Sequence, residues 1–353
     1  MRLRSVLATV TAGLAAATSL TAASPANALT GNACSPSVSI EGFSDALDKT
    51  TYEGTFVGNL SALAVDRDGG IAALSDRSSL FTLDRTTLQP TSVVPLADEK
   101  GAALDSEGLV VDLPHSRPRS SGGTPIGTRL VTSETEPSVR RYEPDGTLVG
   151  SLPVPDALRV APAGRATSNQ TFEGLTLLPG GHTLLAAMEG ALSGDTTGIV
   201  RFQTWDRTAV RKDFRLSAQY GYRTDSGLGV SEATATPDGR LLVLERGFTS
   251  GVGNTVRLYL ADLRHATDTS GIDTLTGQDG VRLIKKTLLT DLVTCPSLGA
   301  TAKQPQPNPL LDNIEGMTIT GRTHGRLNLL LVSDDNQNPV QITRLYSLRV
   351  RLP

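Results

Sequence analysis

Histidine, cysteine and basic blocks are scarce in this chain. Its 353 residues include 4 His and 2 Cys, and the formal net charge is -3. A balance this close to neutral, with no run of Lys or Arg, leaves no electrostatic footprint for a nucleic acid or an anionic membrane surface. Two cysteines are too few for a structural zinc site. No H-E-x-x-H, G-x-S-x-G, Walker loop or dinucleotide fingerprint occurs, so zinc-protease, nucleophile-elbow and nucleotide chemistry have no motif behind them. His115, His182, His265 and His324 fall at scattered loop or turn positions. Beyond the N-terminus, no segment approaches the ~20 apolar residues that span a bilayer.

The N-terminus carries a different signal. Arg2 and Arg4 precede an apolar stretch from Val6, and Ala26-Asn27-Ala28 forms an A-x-A cleavage site. This pattern predicts a signal peptide over 1–28, a mature chain from Leu29 and a secreted, monomeric protein with one domain over 29–353. In an exported chain, the pair Cys34 and Cys295 is most simply a disulfide.

What the chain does have is a repeated heptad. "DSEGLVV" (Asp105 to Val111), "TFEGLTL" (Thr171 to Leu177) and "NIEGMTI" (Asn313 to Ile319) place a Glu-Gly pair inside strand-forming sequence. Glu is a poor strand former and Gly weakens strand interiors, so the position itself must want a carboxylate. Weaker copies are "NLSALAV" (Asn59 to Val65) and "GVSEATA" (Gly229 to Ala235), aligned on Ser61 and Glu232. Each heptad leads through a turn into a second strand that ends in an acid, and third and fourth apolar strands follow. Such four-stranded meanders, with almost no helix-period sequence between them, predict an all-β fold: a β-propeller of five counted blades, with six left open by the long loops. The fifth unit lacks its own fourth strand, and Ser37 to Leu47 is placed to supply it and close the ring.

In a propeller the first strand of each blade lines the channel, and the second ends beside the start of the first. Glu107, Glu173, Glu232 and Glu315 are therefore expected to converge at one channel mouth with Asp76, Glu134, Glu189, Glu245, Asp334 and Asp335. The first four are the candidate catalytic carboxylates and the other six the candidate metal ligands. Arg77 and Arg246 are the candidate substrate clamps. So many carboxylates repel unless protonated, paired or bound to a cation. Two readings follow: latches between blades, or a hard-cation site for which Ca²⁺, with its preference for six to eight oxygens, is the natural occupant.

The Glu-Gly heptads, the hairpins "LPGGHTLLAAMEG" and "TPDGRLLVLERGF" and the opening "GFSDALD" resemble the secreted bacterial phytase-like domain family, known as "esterase-like activity of phytase". The similarity runs from Gly42 to Arg349. It implies a propeller that hydrolyses phosphate esters or other esters of small molecules. A non-catalytic extracellular binding or scaffold propeller is the alternative reading.

Overall fold

Short apolar runs separated by Gly, Asp and Pro turns can bury themselves only by pairing edge to edge, and here they pair as consecutive antiparallel meanders. The structure, a computed structural model, describes residues 31–113, 127–208 and 213–353. The expected signal peptide and His115 lie outside the described residues.

Chain order begins with β1 (Val38–Ser44) and a small hairpin, β2 (Thr50–Tyr52) and β3 (Thr55–Val57). Blade 1 is β4 (Leu60–Val65), β5 (Ile71–Ser75), β6 (Ser79–Leu83) and β7 (Pro90–Pro95). Blade 2 is β8 (Ser106–Asp112), β9 (Thr128–Ser133), β10 (Ser138–Tyr142) and β11 (Leu148–Leu152). Blade 3 follows with β12 (Phe172–Leu177), β13 (Thr183–Met188), β14 (Ile199–Asp206) and β15 (Arg215–Arg223). Blade 4 is β16 (Gly229–Ala235), β17 (Leu241–Thr249), β18 (Gly253–Asp262) and β19 (Lys285–Asp291). Blade 5 has β20 (Ile314–Thr323), β21 (Arg326–Ser333) and β22 (Leu345–Val350), and takes β1 as its outermost strand. The blade count is five. Val38 pairs with Val350, so the start of the chain closes the ring, as the unpaired fifth unit required.

The inner strands pack around the axis in the order β4, β8, β12, β16, β20 and back to β4. Apolar side chains fill the wedges between blades. Trp205 is fully buried in one of them, edge-on to Phe172 at 5.9 Å, and its indole N–H donates to the Pro153 carbonyl at 2.7 Å. Its role is packing, as its place at the end of a third strand suggests.

Every inner strand carries a β-bulge near its start. The register slips between Leu60 and Ala62, Ser106 and Leu109, Phe172 and Leu175, Val230 and Glu232, and Ile314 and Gly316. A bulge inserts one unpaired residue and re-aims its side chain. The bulge thus answers why Glu tolerates the strand: Glu107, Glu173 and Glu315 stand where the ladder is interrupted.

Glycine after the bulge has a separate reason. A Cβ on Gly108 would lie 2.4 Å from the Glu173 carbonyl oxygen, and one on Gly174 would lie 2.4 Å from the Ala233 nitrogen. On Gly316 it would come within 3.0 Å of the Ala62 Cα. Backbone of the next blade therefore fills the space a side chain would need. Where that position holds Ala62 or Glu232 instead, at the β4/β8 and β16/β20 seams, the inner strands pack less closely. The Cys34–Cys295 disulfide joins the β1 end of blade 5 to the segment just after β19, tying the outside of one of these two looser seams.

Gly174→Ala should therefore destabilise the protein by about 1–3 kcal/mol through overpacking against backbone, whereas Ala62→Gly at a looser seam should cost about 1 kcal/mol or less. Urea midpoints test this, and a Gly174→Ala protein as stable as the parent would reject the close-packed seam.

Candidate functional site: an acidic channel mouth

The bulge fixes a frame for the acids. Counting from it, the re-aimed positions are Ser61, Glu107, Glu173, Ser231 and Glu315, and the second-strand positions that pair just beyond the bulge are Asp76, Glu134, Glu189, Arg246 and Asp334. Blades 2 and 3 carry an acid at both positions and blade 5 does too. Blade 1 has Ser and Asp. Blade 4 carries no acid at either, and it presents an arginine.

Glu107, Glu134, Glu173, Glu189, Glu315, Asp76 and Asp334 come together at one mouth, with Asp105 at the lip. Two triads stand out, Asp105/Glu107/Glu134 and Glu134/Glu173/Glu189; within each, one carboxylate oxygen per residue lies within 4.8 Å of the others. Glu134 belongs to both. Asp105 stands immediately before β8, two residues ahead of Glu107, and counting on the Glu-Gly pair passes over it.

Arg246 reaches into this group from blade 4. Its guanidinium lies 3.0 Å from Glu315 and 3.7 Å from Glu189. Burial works against its charge, but Glu315, Glu189, Glu173 and Asp334 outweigh that penalty and hold its pKa above the ordinary arginine value. Its Nε is buried and has no hydrogen-bond partner. Arg77 is largely exposed at the rim, with Nε 3.5 Å from Asp76.

Glu232 and Glu245 stand apart from the mouth. The β16–β17 ladder closes on the Ala235–Leu241 pair and leaves 236–240, one residue fewer than the 178–183 left by the Leu177–Leu184 pair of β12–β13, so aligning the acids by eye puts this blade one residue out of register. Glu232 takes the place that Gly occupies elsewhere, and its carboxylate accepts the Ala233 N–H at 2.8 Å inside the seam. Burial pushes its pKa well up. Glu245 points away from the channel, where it accepts the Tyr222 hydroxyl at 2.6 Å and the Asp225 N–H at 2.7 Å and pairs with Lys286. Asp335 is also committed: it pairs with Lys49 and accepts the Asn59 N–H at 2.9 Å.

Removal from water dominates the electrostatics. Burial raises Glu134 to about 8, with Glu189 and Asp105 adding repulsion. It raises Asp76 to about 6, and Glu315 to about 7 despite Arg246. Burial and then neighbouring acids push Glu107 and Glu173 well above the ordinary carboxylate range. Among the described residues, none donates a hydrogen bond to the Glu107 or Glu173 carboxylate. Nearby, Ser61 Oγ is buried without a hydrogen-bond partner, and the Asn59 side chain faces Asp76. Hard oxygen donors with unspent lone pairs, facing one another across a few ångströms, suit a divalent cation such as calcium.

The fold and this mouth define a five-bladed propeller that gathers carboxylates at one end of its channel. The chain belongs to the phytase-like family described as esterase-like activity of phytase, whose family model matches residues 55–337. Family and fold together support a phytase-like hydrolase. A comparison with curated proteins returns no match.

Each of these raised carboxyls binds its proton more tightly folded than unfolded. Their contribution to stability is therefore full below the unfolded Glu value of about 4.3 and is lost as pH rises through the folded values. In chelator, the urea midpoint should fall as the pH rises through about 6, 7 and 8, the values of Asp76, Glu315 and Glu134. A midpoint that holds level or climbs over that window would show that the acids are not buried together.

Proposed function

We propose that the protein is a secreted, calcium-dependent hydrolase of phosphate esters or other esters, acting at the acidic mouth. The observation that carries this reading is the pair of carboxylate triads sharing Glu134, in which Glu107 and Glu173 are buried with no hydrogen-bond donor among the described residues. A latch would spend those lone pairs on a neighbouring blade's backbone, as Glu232 does toward Met317 and Leu175.

Asp76, Asp105, Glu107, Glu134, Glu173, Glu189 and Asp334 supply the oxygens for the ion. Calcium bound there supplies Lewis-acid polarisation of the ester and a lowered pKa for a water. The protein's own groups do the rest. Arg77, exposed at the rim beside Asp76, orients an anionic ester group, and the unpartnered Nε of Arg246 offers a second donor from below. Glu315 holds Arg246 in place. A Glu107 or Glu173 carboxylate oxygen left free by the ion takes the proton from the attacking water.

Secretion is supported by the A-x-A pattern of the N-terminus, by the Cys34–Cys295 bond and by the lack, among the described residues, of a helix long and apolar enough to cross a membrane. We read the working unit as a monomer.

Calcium should raise the melting temperature, because a ligand bound only by the folded state stabilises it by about 2.7 kcal/mol at a hundredfold excess over its Kd. Glu134→Gln keeps the shape but takes one charge from both triads. It should abolish that shift and lower ester hydrolysis by more than the roughly 10–100-fold that loss of an outer-shell partner costs. If calcium moves neither melting nor hydrolysis in the parent protein, the acids are latches and the binding-propeller reading takes over.

A further inference from the structure

Beside the mouth, at the junction of blade 5 and blade 1, lies an open hollow of about 500 Å³ lined by Lys49, Phe56, Gln337 and Pro339. The β2–β3 hairpin supplies its wall: Phe56 sits in β3, and Lys49 immediately precedes β2. The hollow adjoins Asp335, the residue next to Asp334 of the mouth. A Cβ built on Gly58 would lie 2.3 Å from Phe56 Cε1 and 2.6 Å from Asp335 Oδ1, so ring and carboxylate flank the same glycine. Asp335 in turn acts electrostatically on Asp76 and Asp334 of the mouth.

The chemistry of this hollow differs from that of the mouth. Phe56, Pro339 and the methylene stem of Lys49 give it an apolar surface. Lys49 donates to Asp335 and, at 2.9 Å, to the Asn338 carbonyl, which leaves one of its three N–H groups unspent. Its ammonium lies 5.9 Å from the Phe56 ring centroid. The backbone is held in unusual conformations around this feature: Lys49, Asn336 and Gln337 have φ of 56°, 47° and 49°, in the left-handed region that non-glycine residues rarely adopt. A leaving group crowded with negative charge would find a single spare donor here. A flat aromatic ring would stack on Phe56 and present its ester oxygen toward Lys49.

We propose that this hollow receives the alcohol part of the substrate and that the alcohol is aromatic, which makes aryl monoesters the preferred class and Phe56 a specificity-determining residue. The proposal rests on the hydrolase reading of the mouth. The reaction adds water across the ester: the bond from the phosphoryl or acyl atom to the aryl oxygen breaks, its electron pair stays on that oxygen, and the proton lost by the attacking water ends there.

The test compares naphthyl phosphate with glycerol phosphate, using the full chain with calcium, and follows naphthol binding by its fluorescence. Phe56→Ala should lower kcat/KM for naphthyl phosphate about fivefold to tenfold, the loss of one aromatic stacking contact. Glycerol phosphate should be unaffected and naphthol binding should disappear. Phe56→Leu, which keeps apolar bulk in case Ala perturbs folding, should show a smaller loss in the same direction. An equal fall on both esters, or an unchanged ratio, overturns the proposal. If esters are hydrolysed but naphthol does not bind, the hollow is not a leaving-group site and the hydrolase reading survives. If no ester is hydrolysed but naphthol binds and depends on Phe56, the hydrolase reading fails and the aryl site stands.

Discussion

Placing Glu107, Glu134, Glu173 and Glu189 within reach of one another and away from water costs free energy that only protons, a guanidinium or a cation can offset. The rest of the propeller is arranged around that repulsion. Five blades bring five pairs of strand ends to one circle, and the chain places an acid at most of the positions this provides. It does not do so at all of them. Blade 4 substitutes Ser231 and Arg246, so the ring contains its own partial counter-charge, with Glu315 and Glu189 on either side of the guanidinium.

The acids can converge only because the inner strands are irregular. A regular strand would alternate its side chains between the two sheet faces, whereas the bulge turns one residue toward the mouth. The same interruption lets Gly108, Gly174 and Gly316 bring the next blade's backbone to within contact distance. Glutamate and glycine are thus adjacent for two different reasons, one concerning the direction of a side chain and one the absence of a side chain. Glu232 tests this logic: placed in the glycine position, the same residue type becomes a link between inner strands, accepting from the Leu175 and Met317 backbone on either side.

Much of this was legible in the sequence. Strand periodicity and turn residues marked the blades, and the incomplete fifth unit pointed to ring closure by the N-terminal strand, which β1 provides. The family resemblance rests on the same heptads. What could not be read was register in blade 4, where a turn one residue shorter than its counterpart and a glutamate next to the bulge position both favour the wrong alignment by one residue. Such a slip moves every side chain to the other face, which is why Glu245 faces Tyr222 and Lys286 while Arg246 faces the acids. Asp105 was missed because it precedes its strand, and the Lys49–Asp335 pair because it joins residues 286 positions apart.

Ring closure has a consequence for how the chain is made. β1 is the first strand of the propeller to be synthesised and its partner β22 the last, with Val38 lying against Val350. Until the final residues are available, β1 has no neighbour and blade 5 has only its two inner strands. Four blades can assemble locally, but the circle itself is a contact between the first and last strands of the propeller, the kind of long-range pairing that forms late and slowly. Translation that stops a few residues short would therefore leave an open arc with two bare sheet edges.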